Sequence, residues 1–581
     1  MFRNAEDKYF QAGDGAQLFY RYWPAAMKTD RAVVVLHRGH EHSGRVMHLV
    51  DELDLLDFAM FGWDARGHGL SRKAGESNPA LSTLVNDLDR FVRHIRDAYG
   101  IPEENIVVIA QSLGGVLAAA WVHDYAPRIR CLILATPAFK IKLYVPLART
   151  GLRFGSLFSD RLQVTSYVKP SALTHDDERI ASYQNDPLIH PRISVKLLLG
   201  VYSMSARVIE DAGAIQTPTQ VLISGKDWVV YQGPQHQFFE RLGSQVKERH
   251  VFEGFRHDTL GEKDRRFPIG KAREFIERMF AQSAAAPSLL DADQRGYTKD
   301  EYDRLRKPLS PLSPKNIWFA MQRVTMATGG RLSEGVRLGF KTGFDSGSTL
   351  DYVYRNRAAG ITPIGKIIDW SYVNAIGWRG IRARKQNIER LLGDAMERLR
   401  RKGCPVRLID IAAGHGRYVL EAIEKQKLRP DSVLLRDYSP INVESGQRMI
   451  REKGMESFAQ FVKGDAFHRA SLSAVNPRPT LGVVSGLYEL FPENAMVRES
   501  LAGLAEAIDA GGYLVYTGQP WHPQLEMIAR TLPSHRDFQP WVMRRRTQAE
   551  MDQLVNAAGF RKIGQAIDEW GIFTVSLAER V

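Results

Sequence analysis

Two short turns constrain this chain more than anything else in its sequence. They are Ala110-Gln111-Ser112-Leu113-Gly114-Gly115 and Asp410-Ile411-Ala412-Ala413-Gly414-His415-Gly416. Each follows an apolar, β-branched run, Ile106 to Ile109 in the first case and Val406 to Ile411 in the second, and each precedes a helical pattern. A strand that turns through small residues into a helix belongs to an α/β sheet. Two such turns about 300 residues apart require two sheets, and 581 residues exceed what one core normally supports.

Around the first turn, residues 10 to 23 alternate about Gly13-Asp14-Gly15, which predicts an opening hairpin. Strands are then expected at Ala32 to Leu36, Phe58 to Trp63, Ile106 to Ala110, Cys131 to Ala135, Thr219 to Ser224 and Glu248 to Phe252, alternating with helices. About 80 residues separate the fourth and fifth of these strands, too many for a simple connection, so a cap is expected over about 137–215. The first domain therefore spans 1–282. Residues 283–316, rich in Ala, Pro and Ser, read as a linker with one short helix near Lys299 to Arg306. Residues 317–384 read as a helical lead-in, and 385–581 as a second α/β domain. Its last two strands, Arg561 to Ile567 and Ile572 to Ala578, form a hairpin around Glu569-Trp570-Gly571.

The net charge of +13 favours anionic partners. Its clusters, such as Arg379 to Lys385, Arg398 to Lys402 and Arg544 to Arg546, read first as solvated helix faces. The polar N-terminus lacks a signal-peptide pattern, no apolar run approaches the roughly 20 residues of a membrane span, and the two cysteines, Cys131 and Cys404, fall in different domains. These features point to the cytoplasm and exclude a disulfide framework.

Serine becomes a nucleophile only when a base takes its proton and a third group orients that base. Ser112 sits at the turn, Asp227 follows the strand Thr219 to Ser224, and His257 follows Glu248 to Phe252, each at a carboxyl end where an open sheet keeps its site. Two further segments, Leu36-His37-Arg38-Gly39-His40-Glu41-His42-Ser43-Gly44-Arg45 and Trp63-Asp64-Ala65-Arg66-Gly67-His68-Gly69-Leu70-Ser71, complete five motifs over residues 8 to 282. Together they resemble the monoacylglycerol lipase and lysophospholipase branch, serine aminopeptidase S33-like, of the α/β-hydrolase superfamily. The resemblance implies Ser112 as nucleophile, His257 as base, Asp227 as its orienter, and an oxyanion hole from the backbone N–H groups of Gly39 and Leu113. Arg38 and His40 depart from the glycines usual in that loop. His37, His40 and His42 with Glu41 are dense enough to suggest zinc, but no downstream ligand set accompanies them, and no metal is expected. His68 reads as structural. In the cap, 139–147 and 152–158 interleave basic and apolar residues, which suits an anionic lipid surface and equally suits packing on the core.

The second turn lets backbone approach a ligand closely. Asp410 ends the first strand, where a carboxylate can meet a ligand ammonium; Asp437 ends the second, placed for ribose hydroxyls; Asp465, followed by Ala466, ends the third, placed for an adenine amino group. With Ala412, Gly414 and Gly416 in the loop, residues 385 to 581 resemble the Rossmann-like class I S-adenosylmethionine-dependent methyltransferases. Phe344 to Tyr354 and Ile376 to Arg382 are similar to a bacterial methyltransferase subgroup found fused behind such hydrolases. Tyr488 and Glu489 follow the fourth strand, where they either orient a methyl acceptor or form its wall.

The expectation is an α/β-hydrolase with a cap joined to a class I methyltransferase. Such a chain would be a bifunctional enzyme: a serine hydrolase of lipid-like esters, such as monoacylglycerols or lysophospholipids, and a methyltransferase using S-adenosylmethionine. Peripheral contact with an anionic inner-membrane surface fits the charge. Nucleic acid is disfavoured because no RNA-binding module accompanies the fold. An RNA or small-metabolite methyltransferase with an accessory esterase, and a non-catalytic membrane-surface protein, are the alternatives.

Overall fold

A computed structural model describes residues 3–72, 79–145, 147–156, 158–159, 162–283, 286–426 and 429–581. The chain divides into two compact units, one ending at Pro287 and the other beginning at Ser288.

The first unit has strands β1 (Glu6–Gln11), β2 (Gln17–Trp23), β3 (Ala32–Leu36), β4 (Ala59–Trp63), β5 (Ile106–Gln111), β6 (Cys131–Ala135), the short β7 (Gln163–Thr165) and β8 (Arg192–Ser194), β9 (Thr219–Ser224) and β10 (Lys247–Phe252). Eight of them form one sheet in the order β1-β2-β4-β3-β5-β6-β9-β10. β2 runs antiparallel to β1 and β4, and the other pairs are parallel. This is the α/β-hydrolase fold. Strands β3 to β6 and β9 are buried along their whole length, as helix-covered parallel strands must be. Helix Leu113–Tyr125 is buried at every residue, so the turn preceding it is held from all sides.

Between β6 and β9 lies the insertion, with helices Ala148–Ser156, Asp177–Gln184 and Val195–Glu210 and the hairpin β7–β8. Helix Ala148–Ser156 buries none of its residues. Leu147 and Phe154 are exposed there, while Pro146 and Leu157 of the interleaved stretches lie outside the described residues.

The second unit has strands β11 (Arg407–Asp410), β12 (Ser432–Asp437), β13 (Ala459–Lys463), β14 (Leu481–Val484), β15 (Tyr513–Gly518), β16 (Phe560–Ile567) and β17 (Thr574–Arg580). Their order is β13-β12-β11-β14-β15-β17-β16, with β17 antiparallel to both neighbours. The terminal hairpin thus inserts its second strand beside β15, giving the Rossmann-like methyltransferase topology. Ahead of this sheet come helices Pro314–Thr328, Glu334–Thr342, Gly347–Arg355, Pro363–Val373 and Ile376–Arg401. Asp369, fully buried, fastens them: its carboxylate accepts from Ser333 Oγ (2.6 Å), Gly335 N–H (2.8 Å), Tyr352 OH (2.6 Å) and Ala359 N–H (2.8 Å).

Two expectations change. From Ser288 on, the segment read as a linker packs into the second unit. Leu289 N–H donates to Gln553 Oε1 (2.7 Å), Asn494 N–H to Asp293 Oδ2 (2.8 Å), and Glu301 pairs with Arg545. The physical reason is that the buried Asn494 and Arg545 need partners, and this stretch supplies them. The cluster Arg544 to Arg546 is not a solvated face either, since all three side chains are buried. Glu550 pairs with Arg544 at 2.6 Å, and the carbonyls of Pro520 and Tyr488, each at 2.5 Å, accept from Arg545 and Arg546. Arg384 and Lys385 are buried in the same way.

Candidate active sites

In the first unit, Ser112 occupies the left-handed region, φ 54° and ψ −113°, between β5 and its buried helix. A non-glycine residue holds such a conformation only where its surroundings impose it. Gly114 and Gly115 do so by close packing: a Cβ on Gly114 would stand 2.7 Å from the His37 carbonyl oxygen, and one on Gly115 2.9 Å from Pro137 Cβ. The turn aims the hydroxyl at the carboxyl ends of β9 and β10.

There His257 Nε2 lies 2.8 Å from Ser112 Oγ, and His257 Nδ1 lies 2.8 Å from Asp227 Oδ2. The other carboxylate oxygen of Asp227 accepts from Val229 N–H (2.7 Å) and Val230 N–H (2.9 Å). Burial opposes ionisation of Asp227, but the neighbouring imidazole and these hydrogen bonds outweigh it and hold the carboxyl below its ordinary range. All three residues are buried. The arrangement can relay a proton away from the serine hydroxyl. Gly39 brings its backbone against the start of the helix that follows Ser112, where a Cβ would stand 3.7 Å from Leu113 Cβ.

Arg38 and His40 each find partners within the fold. Arg38 is buried and forms a two-pronged bond to Glu41 (2.9 and 2.5 Å), and it lies 3.2 Å from Asp258. Asp258 also accepts from Arg179 (3.0 Å) and from Gln111 Nε2 (2.8 Å). Burial works against the ionised Asp258, yet the two guanidinium charges carry its carboxyl far below the ordinary range. Gln111 and Asp258, the residues flanking Ser112 and His257, are therefore tied to the loop that carries Gly39 through one ionic network. Only the Arg38/Glu41 spacing hinted at this in the sequence. His40 (φ 68°) lies with Nδ1 2.8 Å from the His190 carbonyl. His37 bonds the Arg38 carbonyl and accepts from Ala65 N–H, and His42 bonds Asp186 (2.9 Å). The three rings thus go to three separate protein partners. His68 is half-buried, and desolvation of its ring lowers its pKa to about 3, so it stays neutral.

In the second unit, the loop after β11 carries Gly414 (φ 56°) and Gly416 (φ 77°), conformations that favour glycine. A Cβ on Gly416 would also stand 2.5 Å from Leu435 Cδ1. Asp437 ends β12; its Oδ2 accepts from Gly414 N–H (2.9 Å) and its Oδ1 from Ser439 N–H and Asn442 Nδ2, both at 2.9 Å. It therefore fixes the loop, and each oxygen retains lone-pair capacity for a further donor. Asp465, exposed after β13, accepts from Phe467 N–H (2.8 Å), and the adjoining Ala466 is buried.

Asp410 departs from the expectation. It is fully buried, with Oδ2 accepting from Tyr418 OH (2.6 Å) and Oδ1 from Ala412 N–H (3.1 Å). Burial pushes its carboxyl up to about 7, so it braces the turn from beneath instead of presenting a free anion to an ammonium. Tyr488 and Glu489 also separate. Tyr488 turns into the core, its hydroxyl donating to Ser500 Oγ (3.0 Å), because the core takes its ring. Glu489 instead lines a cavity of about 560 Å³ together with Gly486, Leu490 and the buried Arg384, which lies 3.4 Å from Glu489. This cavity, walled by the helical lead-in and the segment after β14, was not foreseen from sequence.

Among known proteins, a family model described as "Putative methyltransferase" matches residues 272–580, more than half of the chain. The chain belongs to this family. Its first unit matches, over residues 27–264, the model described as serine aminopeptidase, S33. The uncharacterized protein YnbC of Escherichia coli (strain K12) is 52% identical over 575 residues, covering 99% of this chain and 98% of that one. The monoacylglycerol lipase of Mycolicibacterium smegmatis is 24% identical over 276 residues, 46% of this chain and 95% of its own. Among solved structures, a soluble variant of the Saccharomyces cerevisiae monoglyceride lipase in complex with a substrate analog covers 48% of this chain and 96% of its own at 20% identity, with a TM-score of 0.43. The chain thus joins an α/β-hydrolase domain, related to monoglyceride lipases, to a methyltransferase-family domain.

Proposed function

We propose that this chain is a bifunctional enzyme, a serine hydrolase of long-chain, monoacylglycerol-like esters joined to an S-adenosylmethionine-dependent methyltransferase. The reading rests above all on the continuous relay from Ser112 Oγ through His257 to Asp227, with both links at 2.8 Å. The monoacylglycerol and monoglyceride lipases among the relatives support the substrate class.

In the hydrolase, His257 Nε2 takes the Ser112 proton as Oγ forms its bond to the ester carbonyl carbon. Negative charge developing on the carbonyl oxygen is received by the N–H groups of Gly39 and Leu113. The imidazolium, stabilised by Asp227, then returns that proton to the departing alcohol oxygen as the ester C–O bond breaks. Water attacks the acyl-serine by the same route and frees the acid. Asp437 is assigned to the ribose hydroxyls of the methyl donor, Asp465 to its adenine, and residues 412–416 supply backbone. The positive-φ glycines of this loop and the acidic residues Asp437 and Asp465 after two adjacent strands support the reading, since they offer close backbone approach and acceptors for hydroxyl and amino groups. When bound, it supplies a methyl group made electrophilic by a positively charged sulfur.

Two probes on the purified chain test this. A fluorophosphonate should label the parent and not Ser112→Ala. Calorimetry should show S-adenosylmethionine binding that Asp437→Ala weakens by about 1–3 kcal/mol. Labelling retained in Ser112→Ala refutes the hydrolase assignment, and no S-adenosylmethionine binding refutes the methyltransferase assignment.

A further inference from the structure

The cavity beside Glu489 is apolar nearly throughout, with Leu350, Trp378, Ile381, Met527, Ile528 and Phe573 among its walls. The carboxylates in its lining, Glu489 and Asp345, have partners of their own, and among its unsatisfied groups N–H donors predominate. Arg384 Nε and Gln519 Nε2 are buried without a hydrogen-bond partner, as is Trp541 Nε1. His522 accepts from Gln524 N–H through Nδ1 (3.0 Å), which leaves its proton on Nε2. Burial lowers the His522 pKa to about 4, so that ring stays neutral. An apolar chamber that offers several N–H donors and leaves them unsatisfied is built for a ligand with an apolar body and an oxygen-bearing head.

The mouth of this chamber lies on an unusual surface. Thr325 on helix Pro314–Thr328 and Ile367 on helix Pro363–Val373 both line the cavity and are exposed. Outside it, the same helices present apolar residues at a spacing of three: Trp318, Met321 and Val324 are 56%, 57% and 62% exposed, and Ile364, Ile367 and Trp370 are 64%, 67% and 62% exposed. Six large apolar side chains that the fold leaves in water, carried by two helices that each contribute to the cavity wall, mark an interaction surface. Its charge names the partner. Residues 307–333 contain four basic and no acidic residues, and 352–368 contain three basic and no acidic residues. All seven, Lys307, Lys315, Arg323, Arg331, Arg355, Arg357 and Lys366, are exposed. Glu526 pairs with Lys315 (2.6 Å) and Asp351 with Arg355 (3.2 Å), so the cations outnumber the anions along these faces without excluding them, and apolar faces with a cationic excess suit the headgroup boundary of an anionic bilayer.

We propose that helices Pro314–Thr328 and Pro363–Val373 dock on an anionic lipid bilayer, and that the cavity behind them receives the chain of a single-chain amphiphile from it, with the oxygen-bearing head against Arg384 and Gln519. Docking and binding do not depend on the methyl-transfer reading. Only the identification of this amphiphile as the methyl acceptor rests on it.

The test uses the full-length chain. It should float with phosphatidylcholine vesicles containing phosphatidylglycerol, and should do so at least fivefold less with phosphatidylcholine alone or in high salt. Trp318→Glu/Trp370→Glu should reduce flotation at least fivefold while leaving fluorophosphonate labelling and S-adenosylmethionine binding unchanged. A fluorescent fatty acid, cis-parinarate, should bind Ser112→Ala with one site weakened at least tenfold by Ile381→Trp, which fills the chamber; a retained cooperative unfolding transition confirms that this variant folds. Flotation that ignores lipid charge or survives the two glutamates overturns the docking surface. Parinarate binding untouched by a folded Ile381→Trp overturns the chamber. Loss of S-adenosylmethionine binding by the parent refutes the methyltransferase reading alone.

Discussion

Asp227→Asn should cost the hydrolase far more than the loss of one charge. In the parent, Oδ1 of Asp227 receives the N–H groups of Val229 and Val230 at 2.7 and 2.9 Å. An amide nitrogen there would face two donors with donors of its own, so the asparagine oxygen must keep that corner. Its Nδ2 then turns to His257 and donates to Nδ1, at the position where the parent pair is 2.8 Å apart. Nδ1 can accept that bond only without its proton, which moves to Nε2. The ring then donates to Ser112 Oγ when it should accept from it, and the base is lost although every atom stays in place. Tautomer inversion of this kind lowers turnover about 10⁴-fold, roughly 5.4 kcal/mol of barrier. Hydrolysis of 4-nitrophenyl decanoate and the rate of fluorophosphonate labelling should both fall by that order. Stability in urea should fall by only about 1–3 kcal/mol, because the hydrogen bonds persist in neutral form. Adding the change to Ser112→Ala should cost nothing further, since relay members act as one unit. Labelling of a folded Asp227→Asn within tenfold of the parent rate would refute the reasoning.

Arg38→Met should leave Glu41 and Asp258 buried without their shared cation and destabilise the first unit by about 3–5 kcal/mol in urea unfolding; a cost under 1 kcal/mol would show that the network is idle. Because the folded-state pKa of Asp258 is depressed, its stabilising share is whole above the ordinary carboxylate value near ~4 and drains away as pH falls further, so Asp258→Asn should flatten the acid limb of unfolding. Asp410 has the opposite sign: with its carboxyl pushed up to about 7, the folded second unit should lose stability as pH rises from ~4 through 7, by at most about 1.4 kcal/mol per pH unit. Calorimetric unfolding of Asp410→Asn should lack that slope, and an unchanged slope would place the titrating group elsewhere.

The two turns were legible because their geometry is enforced locally. Ser112 can hold φ 54° only where small neighbours admit the crowded backbone, and Gly114 and Gly115 declare that need in the sequence. Strand ends could likewise be read from apolar runs, and an acidic residue or histidine at a strand end is noticeable without coordinates. The distances from Ser112 to His257 and from His257 to Asp227 could not be read, because they depend on β9 lying beside β6, with β10 beyond it, and β6 and β9 are far apart in the chain.

The buried charges were illegible for a deeper reason. Arg544, Arg545 and Arg546 form a basic run whose composition says solvent, and their burial is decided by Glu301, Glu550 and backbone carbonyls that come from elsewhere in the chain. Composition records a charge and not its partner. The same limit concealed the chamber. Trp318, Met321 and Val324, like Ile364, Ile367 and Trp370, carry the periodicity of a helix packed on a core, and the sequence offers no sign that these faces meet water. Periodicity states that a face is apolar; whether it is buried by this chain or left for a bilayer is decided by which helices pack against it. Here the packing turns Trp378 and Ile381 inward to wall a cavity and leaves the outer stripes at its mouth, so the second unit owes its proposed substrate class to helices ahead of its sheet.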